Sequence, residues 1–482
     1  MEEVPFSEAN FRILLALVKK QSEEIAYLTE ENVYLKSKIK ELEGRLNMNS
    51  SNSSKPPSSD GFKKRITNLR KQSGKKPGGQ PGHEGSTLQM VSTPDEVIIH
   101  APQDTCRCGC GLNAWESLPV EVGQIIDIPP VKAKVIEHRK TGFRCKACGD
   151  AFMGDFPLEV CVDRILYGFN IQSLAVYFNQ YHFIPYHRLT EMFSDCFGIC
   201  LSVGTLVNFM KRTHTKLALF EDRLREVLLA SPVLHSDETG VRCEGKTQWT
   251  HTVSDGQHTY YQIDIHRGTQ AMDKAGLLPR YEGYLVHDRY ASYFQYDQME
   301  HSLCNAHLLR ELKYLHEEEG CLWAEEMMDL LLRAKKHKEE NTSVSQRYKT
   351  RIENEFTSRI KTQLKKEEKR MEALPDKPVC RGKPKRSKAH NLLLALSKHQ
   401  QAVLAFIMHQ HVPFDNNQAE RDLRMIKTKQ KVSGCFRSQD GGSIFCRIRS
   451  YLSTLKKNQQ NILRGIQDML IGSPFIPCSI AE

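Results

Sequence analysis

A heptad pattern over residues 8–46 constrains the architecture of this chain more than any other feature. Apolar residues recur at spacings of three and four, and when Phe11 takes the first a position, every d position is Leu except Gln21. The a positions include β-branched residues and a single Asn, Asn32, a combination that favours a parallel two-stranded coiled coil. The alternative is an amphipathic helix packed on its own domain. We expect self-pairing, and so a homodimer, because the segment that follows cannot form a core.

Residues 47–95 have the composition of a linker. Ser, Asn, Gly and Pro are abundant, and a segment this poor in apolar residues cannot bury a core. Between residues 55 and 76 there are eight Lys or Arg residues and one acid, Asp60. A basic arm of this kind contacts DNA phosphates without reading the base sequence, and a solvated tether is the alternative. In a chain of 482 residues, we expect several further domains after this linker.

The overall composition argues against membrane and secreted proteins. No apolar run approaches the ~18–20 residues of a membrane span, and the acidic first residues are unlike the basic start of a secretory leader. We therefore expect a cytoplasmic protein. The net charge of +10 is only a weak indication of nucleic-acid binding. The 15 Cys residues, an odd number, favour metal ligands and free thiols over disulfides.

Two cysteine clusters in residues 96–155 predict a structural zinc site. The second cluster has C-x-x-C-G spacing, in which two thiolates chelate one ion and backbone N–H groups support the sulfurs. The first cluster has C-x-C-x-C spacing, so three cysteines compete for two ligand positions. The predicted ligands are Cys106, Cys108, Cys145 and Cys148, with Cys110 an alternative to Cys108. Alternating apolar residues predict short strands around them, at 96–100, 124–128 and 132–144.

The apolar spacing of residues 165–225 predicts a helical region, for which we expect a role in DNA binding. Helical apolar spacing occurs at 172–181, 186–197 and 202–211, and Ser202 is a suitable N-cap. The short turn between the last two helices indicates a helix-turn-helix, which places its second helix in a major groove. A plain helical hairpin without a DNA-binding role is the alternative.

The hydrophobic period changes from helical to alternating in residues 230–310. Strands are predicted at 233–237, 247–253, 259–265 and 284–288, with a helix at 268–278 before the last of them. Asp237 and Asp288 are then expected at the C-terminal ends of two short apolar strands. Residues 311–410 are helical and highly charged, and a further helix that carries Glu420 begins near residue 415.

Asp237, Asp288 and Glu420 together fit a two-metal site for phosphodiester chemistry. Mg²⁺ prefers oxygen ligands and keeps several waters, and two ions ~3.5–4 Å apart need a bridging carboxylate with others beside it. Asp237 is the predicted bridge because it lies on the first strand. Arg424 and Lys427, on the helix of Glu420, are candidates to hold a DNA phosphate. The alternative for each acid is a cap or a surface ion pair, and for each cation an exposed basic face.

The chain resembles transposases of the insertion-sequence-66 type (IS66 family), which are members of the DDE group. Besides the cysteine clusters, the matching stretches are residues 76–85, 184–189, 235–240, 287–293, 304–310, 415–421 and 434–442. The resemblance implies a multidomain α+β protein with a ribonuclease-H-like core, a mixed sheet with flanking helices. This core is expected at 230–440, with a helical insertion at 311–410 and a C-terminal helical segment at 441–482.

The same resemblance implies roles for particular residues. Asp237, Asp288 and Glu420 are implied as the catalytic, metal-binding triad, and the cysteine clusters as part of a zinc-finger-like segment before the helix-turn-helix. Arg437 is a further candidate for DNA contact, in a Gly-rich turn that matches the family. The family's first cluster is commonly C-x-x-C, so the departure here leaves its zinc ligands open. Cys304 and His307 resemble a C-x-x-H element of several DDE transposases, for which we expect a packing role.

The expected function is therefore DNA transposition. The protein would bind terminal inverted repeats, cleave a strand with Mg²⁺ or Mn²⁺ and join the new 3′-OH to target DNA. The expected partners are double-stranded DNA, a second copy of the chain and accessory transposition proteins of the same element, in the bacterial cytoplasm and on the nucleoid. Two alternatives stay open: a zinc-containing dimeric DNA-binding regulator whose core has lost activity, and a nuclease that cuts structured DNA without strand transfer.

Overall fold

The computed structural model describes residues 7–49, 52, 89–100, 116, 118–129, 131–157, 165–372 and 386–478. Its first element is one long helix, α1 (Glu8–Leu46), which begins where the Ser7 side chain accepts the Asn10 N–H. The heptad positions face solvent in the single chain, and Leu14 is 62% exposed. The helix itself agrees with the sequence pattern, while its pairing with a second copy stays a prediction.

The predicted strands of the zinc segment are mostly wrong. The only strands in the described part of residues 89–157 are β1 (Gly142–Arg144) and β2 (Ala151–Met153), which form an antiparallel hairpin. The stretches 96–100 and 124–128 form no strand, and Ile125 is 95% exposed. Alternating apolar residues build a strand only where a neighbouring strand or core receives them, and these residues have neither. The cysteines at 106–110 lie outside the described residues.

Four helices and a π-helical turn (Tyr177–Tyr181) lie between the zinc segment and the main sheet, in agreement with the predicted helical region. They are α2 (Phe169–Val176), α3 (Tyr186–Phe197), α4 (Val203–Lys216) and α5 (Ala218–Leu229). Helix α3 ends at Gly198, whose positive φ of 66° permits the left-handed turn. Ser202 is the N-cap of α4, as predicted, and its Oγ accepts the Thr205 N–H at 3.0 Å.

A five-stranded mixed sheet lies at the centre, with the strand order β5-β4-β3-β6-β7. Its strands are β3 (Val233–Cys243), β4 (Lys246–Ser254), β5 (Thr259–Asp264), β6 (Tyr284–His287) and β7 (Glu300–Leu303). The first three are antiparallel neighbours, and β3, β6 and β7 are parallel. Helix α6 (Thr269–Ala275) connects β5 to β6 with a 3₁₀ turn (Leu278–Arg280). The sequence analysis predicted four strands and missed β7.

The helical insertion has its own hydrophobic core. It consists of α7 (Asn305–Glu319), α8 (Leu322–Glu340), α9 (Gln346–Glu372), α10 (Lys388–Lys398) and α11 (Gln400–Met408). Phe356, Leu393 and Phe406 are completely buried in the described part of this region. The chain then returns to the main sheet through a short connection.

Three helices complete the fold: α12 (Asn417–Ser433), α13 (Gln439–Lys457) and α14 (Ile462–Leu470). Helix α13 lies against β5, where the Tyr261 N–H donates to Ser450 Oγ at 2.9 Å. At Gly442, a Cβ atom would come within 2.8 Å of Ile263 Cδ1, so a larger residue would require the Ile263 side chain to move. The single final helix predicted from about residue 443 is therefore wrong: there are two helices, and α13 belongs to the sheet's packing. No described helix is both long and apolar enough to cross a membrane.

Candidate active site

The sheet brings Asp237 and Asp288 to one edge. The parallel pairing of β3 with β6 covers only Val233–His235, so Asp237 lies just past its end, and Asp288 directly follows β6. The expectation that Asp237 ends its strand is wrong, because β3 runs on to Cys243 in a long hairpin with β4. Both residues nevertheless lie at the C-terminal edge of the parallel pair, which is where open sheets bind ligands.

Glu420 reaches the same edge on α12, whose first residues are fixed to β3. Asn416 is the N-cap of this helix and is 1% exposed. Its Oδ1 lies 2.9 Å from His235 Nδ1, and its Nδ2 donates to the Ser236 carbonyl oxygen at 2.8 Å. Glu420, one helical turn later, is therefore held beside the strand that carries Asp237.

The carboxylates are close enough to disfavour one another's charge. Desolvation raises the pKa of Asp237 well above its ordinary value, and the charges of Glu238, Asp288 and Glu420 raise it further. The pKa of Asp288 is also raised, first by desolvation and then by the charge of Glu238. A divalent cation relieves such crowding, and carboxylate oxygens are the ligands that Mg²⁺ prefers. The three predicted residues thus have the ligand type that Mg²⁺ prefers, and the charges of Asp288 and Glu420 act on Asp237.

Glu238 is a further acid at this edge that the sequence analysis missed. Arg267 donates from Nε and from Nη2 to Glu238 Oε1, each at 2.9 Å, and the Tyr293 hydroxyl donates to Oε2 at 2.7 Å. Arg267 itself lies over the rings of Trp249 and Tyr290, with its Cζ 4.8 and 4.3 Å from their centroids. Both oxygens of Glu238 are therefore engaged by protein groups, which indicates a supporting role. The sequence signal that could have identified Glu238 was its position directly after Asp237.

Cys304 and His307 also face this site. One ligand atom from each of Cys304, His307 and Glu420 lies within 4.8 Å of the other two. Cys304 is buried, as a packing role requires, and burial raises the pKa of its thiol to about 12. Burial, with the charges of Arg310 and Arg289, lowers the pKa of His307 to about 4, so its imidazole is neutral at pH 7. A cavity of about 220 Å³ lies here, lined by Asp288, Cys304 and His307 among others.

The predicted phosphate-binding cations differ in their surroundings. Arg424 and Arg437 are exposed. Lys427 is half-buried, and its Nζ donates to the Gly240 carbonyl oxygen of β3 at 2.5 Å. Desolvation lowers the pKa of this lysine. Lys427 therefore connects α12 to the sheet, whereas the two arginines are exposed to solvent.

The second cysteine cluster has the geometry of a zinc knuckle. Cys145 and Cys148 lie in the turn between β1 and β2, where Gly149 adopts a positive φ of 83°. Hydrogen bonds from the backbone N–H groups of Cys148 and Ala147 lower the pKa of Cys145. Such donors favour the thiolate that zinc requires. The remaining predicted ligands, Cys106, Cys108 and the alternative Cys110, lie outside the described residues.

The helical hairpin of α3 and α4 leaves one face of α4 open. Leu206, Phe209 and Met210 are buried in the main hydrophobic core. Asn208, Lys211 and Thr215 are exposed, and a spacing of three and four places such residues on one helical face.

Comparison with known families gives three matches. The model of the transposase IS66 family matches residues 164–444, which is more than half of the chain. The model of the zinc-finger binding domain of transposase IS66 matches residues 103–149. A family of unknown function (DUF6444) matches residues 6–89. No curated protein matches this chain.

Proposed function

Since this chain belongs to the IS66 transposase family, we propose that it cuts and joins DNA at the ends of its own insertion sequence. The proposed catalytic residues are Asp237, Asp288 and Glu420, which would hold two Mg²⁺ or Mn²⁺ ions. The observation that carries this proposal is the placement of Asp237 and Asp288 at one sheet edge with Glu420 beside them, where desolvation and then neighbouring charges raise the pKa of Asp237. Acids kept together against their mutual repulsion are typical of a cation site.

Each residue has a distinct part in the proposed chemistry. When bound, two divalent cations activate the attacking oxygen and stabilise the leaving oxygen. Asp237 would bridge them from β3, because it lies between the strand that precedes Asp288 and the hairpin partner β4. Glu420 would complete the second side from α12. Glu238 pairs with Arg267 and keeps a further carboxylate charge beside Asp237, and its backbone N–H donates to Asp237 Oδ1 at 2.8 Å.

DNA binding is proposed for three elements outside the sheet. Helix α4 would enter a major groove with its exposed face, as in a helix-turn-helix. The zinc segment and the basic residues at 55–76 would add contacts to phosphates. Arg424 and Arg437 would hold the DNA strand near the carboxylates.

A ribonuclease-H-like core is proposed for the sheet and the helices on it.

The proposed working form is a homodimer held by the coiled coil of α1. It would act on transposon ends and target DNA in the bacterial cytoplasm, on the nucleoid, with accessory transposition proteins of the same element as further partners. A dimer suits this task because two ends have to be brought together before joining.

Strand cleavage and strand transfer on DNA test this proposal directly. Purified protein is incubated with a labelled duplex that carries the end sequence of its element, with Mg²⁺ or with EDTA. We expect a nick at the end of the element in the presence of Mg²⁺ and no nick in EDTA. We also expect pre-cut ends to be joined to a target duplex in Mg²⁺. Cleavage without joining would favour a nuclease, and binding without cleavage would favour a regulator; either result would contradict the proposal.

A further inference from the structure

Cys304, His307 and Glu420 form a mixed sulfur, nitrogen and oxygen cluster next to the carboxylates. One ligand atom from each lies within 4.8 Å of the others. We propose that this cluster binds a Zn²⁺-type ion, separate from the Mg²⁺ ions, and that this ion orients Glu420. The orienting role rests on the proposed function, because it assumes that Glu420 acts in DNA cleavage.

Cys304 is placed as a zinc-binding thiolate would be. It is 1% exposed and is the N-cap of α7, at the positive end of that helix. Its Sγ accepts the Asn416 N–H at 3.2 Å. Backbone donors support the sulfur of Cys145 in the zinc knuckle in the same way. Zinc binding would displace the thiol proton to solvent, as at other cysteine ligands.

His307 presents a nitrogen without a partner. Its Nδ1 is buried and accepts no hydrogen bond from any described residue. It lies 3.8 Å from Glu420 Oε1. His307 is three residues after Cys304 at the start of α7, so both side chains lie on the same side of this first turn. A metal ion between them would use the lone pair that the described part of the chain leaves unpaired.

The donor set selects the class of metal. Thiolate and imidazole suit Zn²⁺, whereas Mg²⁺ requires oxygen ligands. Arg310 Nη2 lies 3.4 Å from Glu420 Oε1 and is the present counter-charge of this oxygen. The contacts of Glu420 with both His307 and Arg310 use Oε1, so Oε2 remains for a magnesium ion. Glu420 would then connect a zinc site to the magnesium site.

The metal content of the full-length protein tests this proposal. Protein loaded with Zn²⁺ and desalted is analysed for zinc, with about two ions per chain expected, one in the finger and one at Cys304. Cys304→Ser and His307→Ala should each lower this to about one. Cys321→Ser is the matched control, because Cys321 is also the N-cap of a helix, α8, and we expect its zinc content to be unchanged. An unchanged zinc content in Cys304→Ser would overturn the proposal.

A cobalt spectrum gives a second readout, whose positive result is obtained with Cys304 and His307 unchanged. Co²⁺ is added to a protein in which the five cysteines of the two clusters are replaced by Ser and Cys304 and His307 are intact; the replaced residues are Cys106, Cys108, Cys110, Cys145 and Cys148. We expect a thiolate-to-cobalt absorption band, and its loss when Cys304→Ser is added. A band that survives the further replacement of Cys304 would contradict the assignment. Failure of the zinc site leaves DNA cleavage by the wild-type protein in place, whereas failure of the proposed function would be seen as absent cleavage with zinc content intact.

Discussion

Asp237 is the residue whose replacement tests the catalytic proposal most sharply. Asp237→Asn keeps the size of the side chain but removes the charge that two divalent cations need. We expect at least ~10³-fold less strand cleavage, about 4 kcal/mol in the barrier. Binding of end DNA should be retained, because α4 lies elsewhere. The measurement is a cleavage time course beside a gel-shift titration.

A control for this substitution has to be an exposed aspartate. Asp222→Asn on α5 meets this condition, since Asp222 is exposed and its only described ion pair is with Arg225 at 3.5 Å. We expect cleavage by this variant to stay near the wild-type rate. Near-normal cleavage by Asp237→Asn would contradict the two-metal proposal. Loss of DNA binding in step with cleavage would show that Asp237 supports the fold.

At the scale of single residues, the sequence predicts where a residue lies relative to a strand better than it predicts the contacts around that residue. Asp288 directly follows a strand, as the pattern of short apolar runs predicted. The crowding around it depends on contacts between distant segments: Arg267 reaches Glu238 across 29 positions, and His307 meets Glu420 across the whole insertion. Such contacts leave no recognisable pattern in the local sequence. The strand end at Asp237 was misplaced because polar residues after it pair with β4, which a search for apolar runs does not detect.

At the scale of elements, Asp422 connects α12 to the sheet and to α13. Its Oδ2 accepts a hydrogen bond from Lys457 Nζ at 2.9 Å. Lys457 also donates hydrogen bonds to the carbonyl oxygens of Asp255 and His258. Both charged side chains of the pair are nearly buried, 13% exposed for Lys457 and 11% for Asp422. Asp422→Asn leaves a buried ammonium without its counter-charge, so we expect a loss of about 3 kcal/mol in the free energy of unfolding. Urea denaturation measures this loss.

An exposed ion pair supplies the control for this stability prediction. Asp468 on α14 pairs with Arg464, which is 71% exposed. Asp468→Asn should change the unfolding free energy by no more than about 0.5 kcal/mol. Equal losses in Asp422→Asn and Asp468→Asn would contradict a structural role for the Asp422–Lys457 pair.

Helix α4 carries the prediction for DNA recognition. Lys211 is exposed on the face that would enter the groove. Lys211→Ala should weaken binding of end DNA and lower the slope of log affinity against log salt by about one, because one phosphate contact is lost. Lys19→Ala, on the exposed surface of α1, is the control and should leave both quantities unchanged. An unchanged salt slope in Lys211→Ala would remove α4 from the DNA interface.

The elements themselves were predictable in proportion to their length and packing. The helices of 165–225 follow from apolar spacing because one face of each enters the main core. Strand β7 (Glu300–Leu303) is as short as β6 but reads Glu-His-Ser-Leu, without the apolar run by which β6 was predicted. The stretch at 124–128 alternates clearly but forms no strand, since pairing depends on a partner that periodicity does not reveal.

At the scale of the whole molecule, α1 carries the prediction of dimerisation. Its apolar seam is exposed in the single chain, with Ile25 at 64% and Leu28 at 51%, and burying that seam against a second copy would remove it from water. Deletion of residues 1–46 should therefore give monomers in light scattering at micromolar concentration. A dimer of unchanged mass would place the interface in another part of the molecule.

The position of Glu420 on α12 also affects when the site can first assemble during synthesis. Glu420 follows Asp288 by 132 residues in the chain, and the ribosome adds roughly 5–20 residues per second. For an interval on the order of 10 s, a growing chain therefore contains α4, Asp237 and Asp288 but not the last carboxylate. Helix α4 packs in the same hydrophobic core as Tyr451 and Leu452 of α13, which are added later still. The core around α4 and the set of carboxylates would therefore both be completed only when the C-terminal helices have been made.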